Sequence, residues 1–176
     1  MHEKARGDTI YRGSWLNGIF HGEGICIERR CRDSPNQYEG EFFNGLRHGF
    51  GQLKNKKSGL ICKGPWHCDK PLSGKWRITY PNGCIYSGNA KVDDDNHISA
   101  AWTAVQGSNI PSPSMPFNFE ISTPIPDGFG AIRYTNENVY IGQFKNGARE
   151  GYGSLFVNGI ISEGVWDGDN LTDKAR

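Results

Sequence analysis

The sequence predicts an all-β fold, an elongated single-layer antiparallel sheet of stacked β-hairpins. Three observations predict it. The block Tyr38-Glu39-Gly40-Glu41-Phe42-Phe43-Asn44-Gly45-Leu46-Arg47-His48-Gly49-Phe50-Gly51 returns as Tyr140-Ile141-Gly142-Gln143-Phe144-Lys145-Asn146-Gly147-Ala148-Arg149-Glu150-Gly151-Tyr152-Gly153. A chain that repeats one short unit builds a stack of like pieces. The 24 glycines among 176 residues are well above the ordinary ~7% and suit close-packed strands. Helical periodicity is absent, whereas Tyr-x-Gly-x-aromatic alternates with the period of a strand.

The repeats follow in order. Tyr11-Arg12-Gly13-Ser14-Trp15 runs through Asn17-Gly18 into Gly22-Glu23-Gly24, and the second copy is the block at 38–51. Cys62-Lys63-Gly64-Pro65-Trp66 keeps the Gly and the aromatic, and Tyr86-Ser87-Gly88 follows the turn-forming Tyr80-Pro81-Asn82-Gly83. Ser162-Glu163-Gly164-Val165-Trp166 opens a truncated last copy. Most starts are 22 to 27 residues apart, but the interval from 86 to 140 is longer. It has room for an insertion and for a fifth unit that starts at Phe117-Asn118-Phe119-Glu120-Ile121 and ends in Gly128-Phe129-Gly130. About seven units result, the fourth and fifth degenerate. The expected organisation is an N-terminal cap (1–10), repeats one to four (11–105), a Pro/Ser-rich insertion (106–116), repeats five to seven (117–168) and a polar tail (169–176). With strands ~4.8 Å apart, some fourteen of them would make a rod ~65 Å long.

Positions i, i+2 and i+4 of a strand share a face, so Tyr11, Gly13 and Trp15 point one way. Glycine inside a strand weakens it unless something must pass close over it. The expected occupant is an aromatic ring of the adjacent unit, set between two flanking rings. Asn17-Gly18, Asn44-Gly45 and Asn146-Gly147 tolerate the positive φ of a tight turn. The distance on to Gly22 or Gly49 predicts a loop longer than a two-residue hairpin turn.

This pattern resembles the MORN repeat (membrane occupation and recognition nexus) family. The copies at 38–51 and 140–153 carry its motif nearly position for position; those at 11, 62 and 86 carry it in part. The resemblance implies a twisted sheet of stacked hairpins whose concave side holds a partner peptide, and association with cytoskeletal or membrane-associated structures. Similar repeats precede SET domains in some lysine methyltransferases and kinase domains in plant lipid kinases. Here Ile98 interrupts an Asn-His-Ser match in Asn96-His97-Ile98-Ser99, and no kinase segment is expected. Gly-x-Ser-x-Gly, phosphate-loop and His-Glu-x-x-His motifs are missing. The chain is expected not to be an enzyme, and no catalytic residue or cofactor is assigned.

The candidate partner groove consists of Tyr11, Trp15, Tyr38, Phe42, Trp66, Tyr86, Tyr140, Phe144 and Trp166, all on one predicted face. A single-layer sheet has no second layer to cover such a face, and an exposed aromatic groove is a place for a partner's helix or strand. Trp15, Phe42 and Trp66 are the expected anchors, although filling of the glycine gaps explains the rings as well. Charge suggests a second surface. Residues 1–88 hold 14 Lys/Arg against 8 Asp/Glu, and residues 89–176 hold 6 against 11. Arg29, Arg30 and Arg32 lie one repeat before Lys54, Lys56 and Lys57, so the two clusters should emerge at one edge and could meet an anionic, phosphoinositide-type membrane surface. Solvated loops are the plainer account of both clusters. Unpaired end strands offer a route to a homodimer, and no nucleic-acid partner is expected.

Five cysteines at irregular spacing argue for reduced thiols and a cytoplasmic location. No apolar stretch follows Met1-His2-Glu3-Lys4, so no secretory signal is expected. Cys62, His67, Cys68 and Cys84 lack paired-knuckle spacing, and no metal site is expected. Asp93-Asp94-Asp95-Asn96 lacks the glycine of a calcium loop at its sixth position, Ile98, and reads as a solvated turn. Pro111, Pro113 and Pro116 make 106–116 a linker, with Ser112-Pro113 a candidate phosphorylation site within it.

Overall fold

The computed structural model describes residues 2–6, 9–28, 36–92 and 123–174. The expectations for Arg29, Arg30 and Arg32, for the acidic turn at 93–96, for the insertion at 106–116 and for a strand at 117–121 lie outside them. The chain forms two compact units, Met1–Leu72 and Ser73–Arg176.

In the N-terminal unit, β1 (His2–Arg6), β2 (Thr9–Leu16), β3 (Ile19–Glu28), β4 (Asn36–Phe43), β5 (Leu46–Asn55), β6 (Ile61–His67) and β7 (Lys70–Pro71) each pair antiparallel with the next. In the C-terminal unit, β8 (Gly74–Thr79), β9 (Ile85–Lys91), β10 (Ile125–Arg133), β11 (Val139–Lys145), β12 (Ala148–Val157), β13 (Ile160–Asp167) and β14 (Asn170–Lys174) do the same. Each unit is a single antiparallel layer with strands in chain order, and neither is closed into a barrel. The all-β hairpin architecture read from the sequence is the one observed.

Two local expectations are corrected. The connection from β2 to β3 is a two-residue turn, with Asn17 at φ 51 and Gly18 at φ 77. Asn44-Gly45 and Asn146-Gly147 repeat this geometry, which matches the right-handed twist of the flanking strands. The extra residues are taken up inside the second strand. Gly13 pairs with Gly24 but Trp15 with Phe20, a register shift that Gly22 absorbs at φ 68. Gly49 and Gly151 serve the next bulges at φ 58 and 73. The second correction concerns Gly128-Phe129-Gly130. It does not close a fifth unit, because β10 pairs with β9 and sets Gly130 opposite Gly88. The stretch between these strands is an insertion inside the repeat that Tyr86 opens.

Candidate functional site

Side chains of one face form a packed layer of rings. A Cβ added at Gly51 would fall on the ring and hydroxyl of Tyr38, and one at Gly153 on those of Tyr140. Tyr11 covers Gly24 and Tyr86 covers Gly130 in the same way. In the repeats that open on Tyr11, Tyr38, Tyr86 and Tyr140 the glycine gap is therefore filled by the repeat's own tyrosine, where a ring of the neighbouring repeat was expected. The reason is reach: a tyrosine extends over the glycine two residues ahead and places its hydroxyl on the carbonyl three ahead. Tyr11 Oη donates to Ser14 O at 2.9 Å, Tyr140 Oη to Gln143 O at 3.1 Å, and Tyr86 Oη to Asn89 O.

The neighbouring repeat's ring does lie between flanking rings. Phe42 meets Tyr11 and Tyr38 edge-on, both at 5.1 Å. Phe144 stands likewise between Tyr86 at 5.1 Å and Tyr140 at 5.2 Å. Trp66 and Trp166 abut Tyr38 and Tyr140 and donate Nε1–H to Gly51 O at 3.3 Å and Gly153 O at 3.0 Å. Of the nine candidate groove residues, Tyr11, Tyr38, Phe42, Trp66, Tyr86, Tyr140, Phe144 and Trp166 are buried in this layer, and Trp15 is half-buried. Burial pushes the phenols of Tyr140 and Tyr134 up to about 12 and the Cys62 thiol up to about 12.

An arginine clamp recurs in both units and was missed in the sequence. Arg149 Nε meets Asp169 Oδ1 at 2.9 Å, its Nη2 donates to Asp169 O at 2.8 Å, and its guanidinium lies 4.4 Å from the Trp166 ring. Arg47 repeats this with Asp69 at 3.0 Å and Trp66 at 4.9 Å. The signal was present: Arg47 and Arg149 stand two residues after Asn-Gly, and an aspartate stands three after Trp66 and Trp166.

The opposite face of the C-terminal unit carries large exposed apolar side chains among polar ones such as Arg133, Gln143, Ser154 and Glu163. Phe129 (60% exposed), Ile141, Tyr152 (56%), Phe156, Ile161 (58%) and Val165 project from it. The register brings Tyr152 beside Val165 and Phe156 beside Val139 and Ile161. In the N-terminal unit Leu16, Phe43 and Phe50 are exposed on the face opposite that unit's own rings. Lys54, Lys56 and Lys57 are exposed at the end of β5 and in the turn after it, which Asn55 pins through Ser58 N at 2.8 Å and Gly59 N at 2.8 Å. Cys62 is buried in the N-terminal unit and Cys84 belongs to the C-terminal one. His67 and Cys68 come together with His48 instead, their ligand atoms all within 4.8 Å of one another.

No curated protein matches the chain. The MORN repeat family model matches residues 11–27, 38–57 and 140–160. The first two segments lie on the β2–β3 and β4–β5 hairpins and the third on β11–β12. In each of these hairpins the repeat's tyrosine lies over the glycine of the paired strand, and the chain belongs to the MORN repeat family, matched at these three places.

Proposed function

We propose that the protein is a scaffold that holds an apolar segment of a partner protein against the open face of its sheet. The observation that carries this reading is the row of large apolar side chains on β10–β13, opposite the ring layer. An antiparallel sheet that meets water on one side ordinarily carries polar residues there, and several large apolar side chains exposed on one face favour a protein partner. The rings proposed from the sequence as groove contacts act as the stiff layer behind this surface, and Trp15 is the member of that set with surface left to offer. The test is affinity enrichment from native lysate with wild type and a Phe129→Ser/Ile161→Ser variant whose circular dichroism is unchanged. Proteins held by wild type and lost by the variant support the reading; an identical set from both overturns it.

A second reading rests on Lys54, Lys56 and Lys57, three exposed cations at one hairpin end, a geometry suited to anionic headgroups. Flotation with phosphoinositide-containing vesicles separates the two readings. Lipid binding falls with moderate salt and with charge reversal at the three lysines, whereas binding to the apolar face survives both.

A further inference from the structure

We propose that His48, His67 and Cys68 form a three-ligand site for a zinc-type divalent transition metal ion. His48 on β5 and His67 on β6 are cross-strand neighbours, since Gly49 pairs with Trp66. Their rings lie 4.8 Å apart. Cys68 follows His67 in the turn before β7, and the nitrogen and sulfur ligand atoms of the three lie within 4.8 Å of one another. Tetrahedral zinc with nitrogen at ~2.0 Å and sulfur at ~2.3 Å needs ligand atoms ~3.3–3.7 Å apart. Rotation of the exposed His67 and Cys68 side chains closes that difference. His48 Nδ1 is buried and has no hydrogen-bond partner among the described residues.

The C-terminal unit contains the same backbone without these ligands, which makes it an internal comparison. Arg149 and Asp169 correspond to Arg47 and Asp69, so Glu150, Asp167 and Gly168 stand where His48, His67 and Cys68 do. Gly168 has φ 51 and Cys68 has φ 48, a left-handed conformation that suits glycine and that a residue with a side chain adopts only under strain. A cysteine held there, beside two imidazoles, fits a residue kept for its sulfur. Where the C-terminal unit has two carboxylates and a glycine, the N-terminal unit has two imidazoles and a thiol, a set that favours zinc-type over hard cations. The clamp holds the site ready. Arg47 N donates to Asp69 Oδ1 at 2.9 Å and Asp69 N donates to Arg47 O at 3.0 Å, which ties the residue after Cys68 to the residue before His48. Three protein ligands leave a fourth position for water or for an incoming ligand.

The test is titration of the reduced, full chain with zinc by calorimetry, and with cobalt by absorbance. One zinc ion per chain is expected, together with a thiolate-to-cobalt charge-transfer band in the near ultraviolet. Cys68→Gly installs the residue of the matching turn, so the fold should survive. It should abolish the band and weaken zinc binding at least about tenfold, and His48→Gln should weaken zinc to a similar degree. A stoichiometry well below one ion, or zinc binding and a cobalt band unchanged in Cys68→Gly, would overturn the site.

Discussion

Tyr140 lies across Gly142 and Gly153 so closely that a methyl group at either glycine would enter its ring or hydroxyl. Gly153→Ala should therefore destabilise the C-terminal unit by about 1–3 kcal/mol through overpacking. Gly159→Ala adds its Cβ in open space but at φ +80, and should cost about 1–2 kcal/mol through backbone strain alone. Urea unfolding of the two variants measures both, and a neutral Gly153→Ala would mean that the tyrosine does not cover the glycine. The sequence made the glycine gaps and the facing of the rings legible, because both follow from strand alternation. It did not reveal which ring fills which gap. Alternation assigns a side chain to a face but not its lean along the strand, and Tyr11, Tyr38, Tyr86 and Tyr140 all lean over their own repeat.

At the scale of elements, the hairpins are joined by repeated devices and not by ring packing alone. The Arg149 side chain is 5% exposed and its partner Asp169 18%, whereas Asp69 in the matching clamp is 44% exposed. Removal of one partner from a buried pair strands a charge, at about 3–5 kcal/mol. Asp169→Ala should approach that loss in thermal or chemical unfolding, and Asp69→Ala should lose clearly less because water reaches its arginine more readily. Equal losses would contradict the difference in burial. Repeat starts were legible from Tyr-x-Gly and Trp spacing. The repeat that Tyr86 opens was misread because its two strands are separated by an insertion: spacing along the chain counts the inserted residues, whereas pairing between Gly88 and Gly130 ignores them. The clamp joins residues of separate strands, so no single local pattern in the chain displays both halves of it.

At the scale of the molecule, the buried phenols tie stability to alkaline pH. Burial is the largest cause of the raised values of Tyr134 and Tyr140, both near 12 against an ordinary 10.0. The fold holds the neutral phenol, so this contribution is complete below pH 10.0 and is lost as pH rises towards about 12. Circular dichroism should show stability from this source flat up to pH 10.0 and falling above it. Function was less legible than fold. Strand alternation identified the ring face, which the molecule uses for its own packing, and gave no weight to the large apolar residues on the other face. The most direct test of the division between faces is hydroxyl-radical footprinting of the native chain read by mass spectrometry. Strong labelling of Phe129, Tyr152 and Ile161, with protection of Tyr140, Phe144 and Trp166, is the predicted result. Labelling of Tyr140 and Trp166 as strong as that of Tyr152 would contradict it.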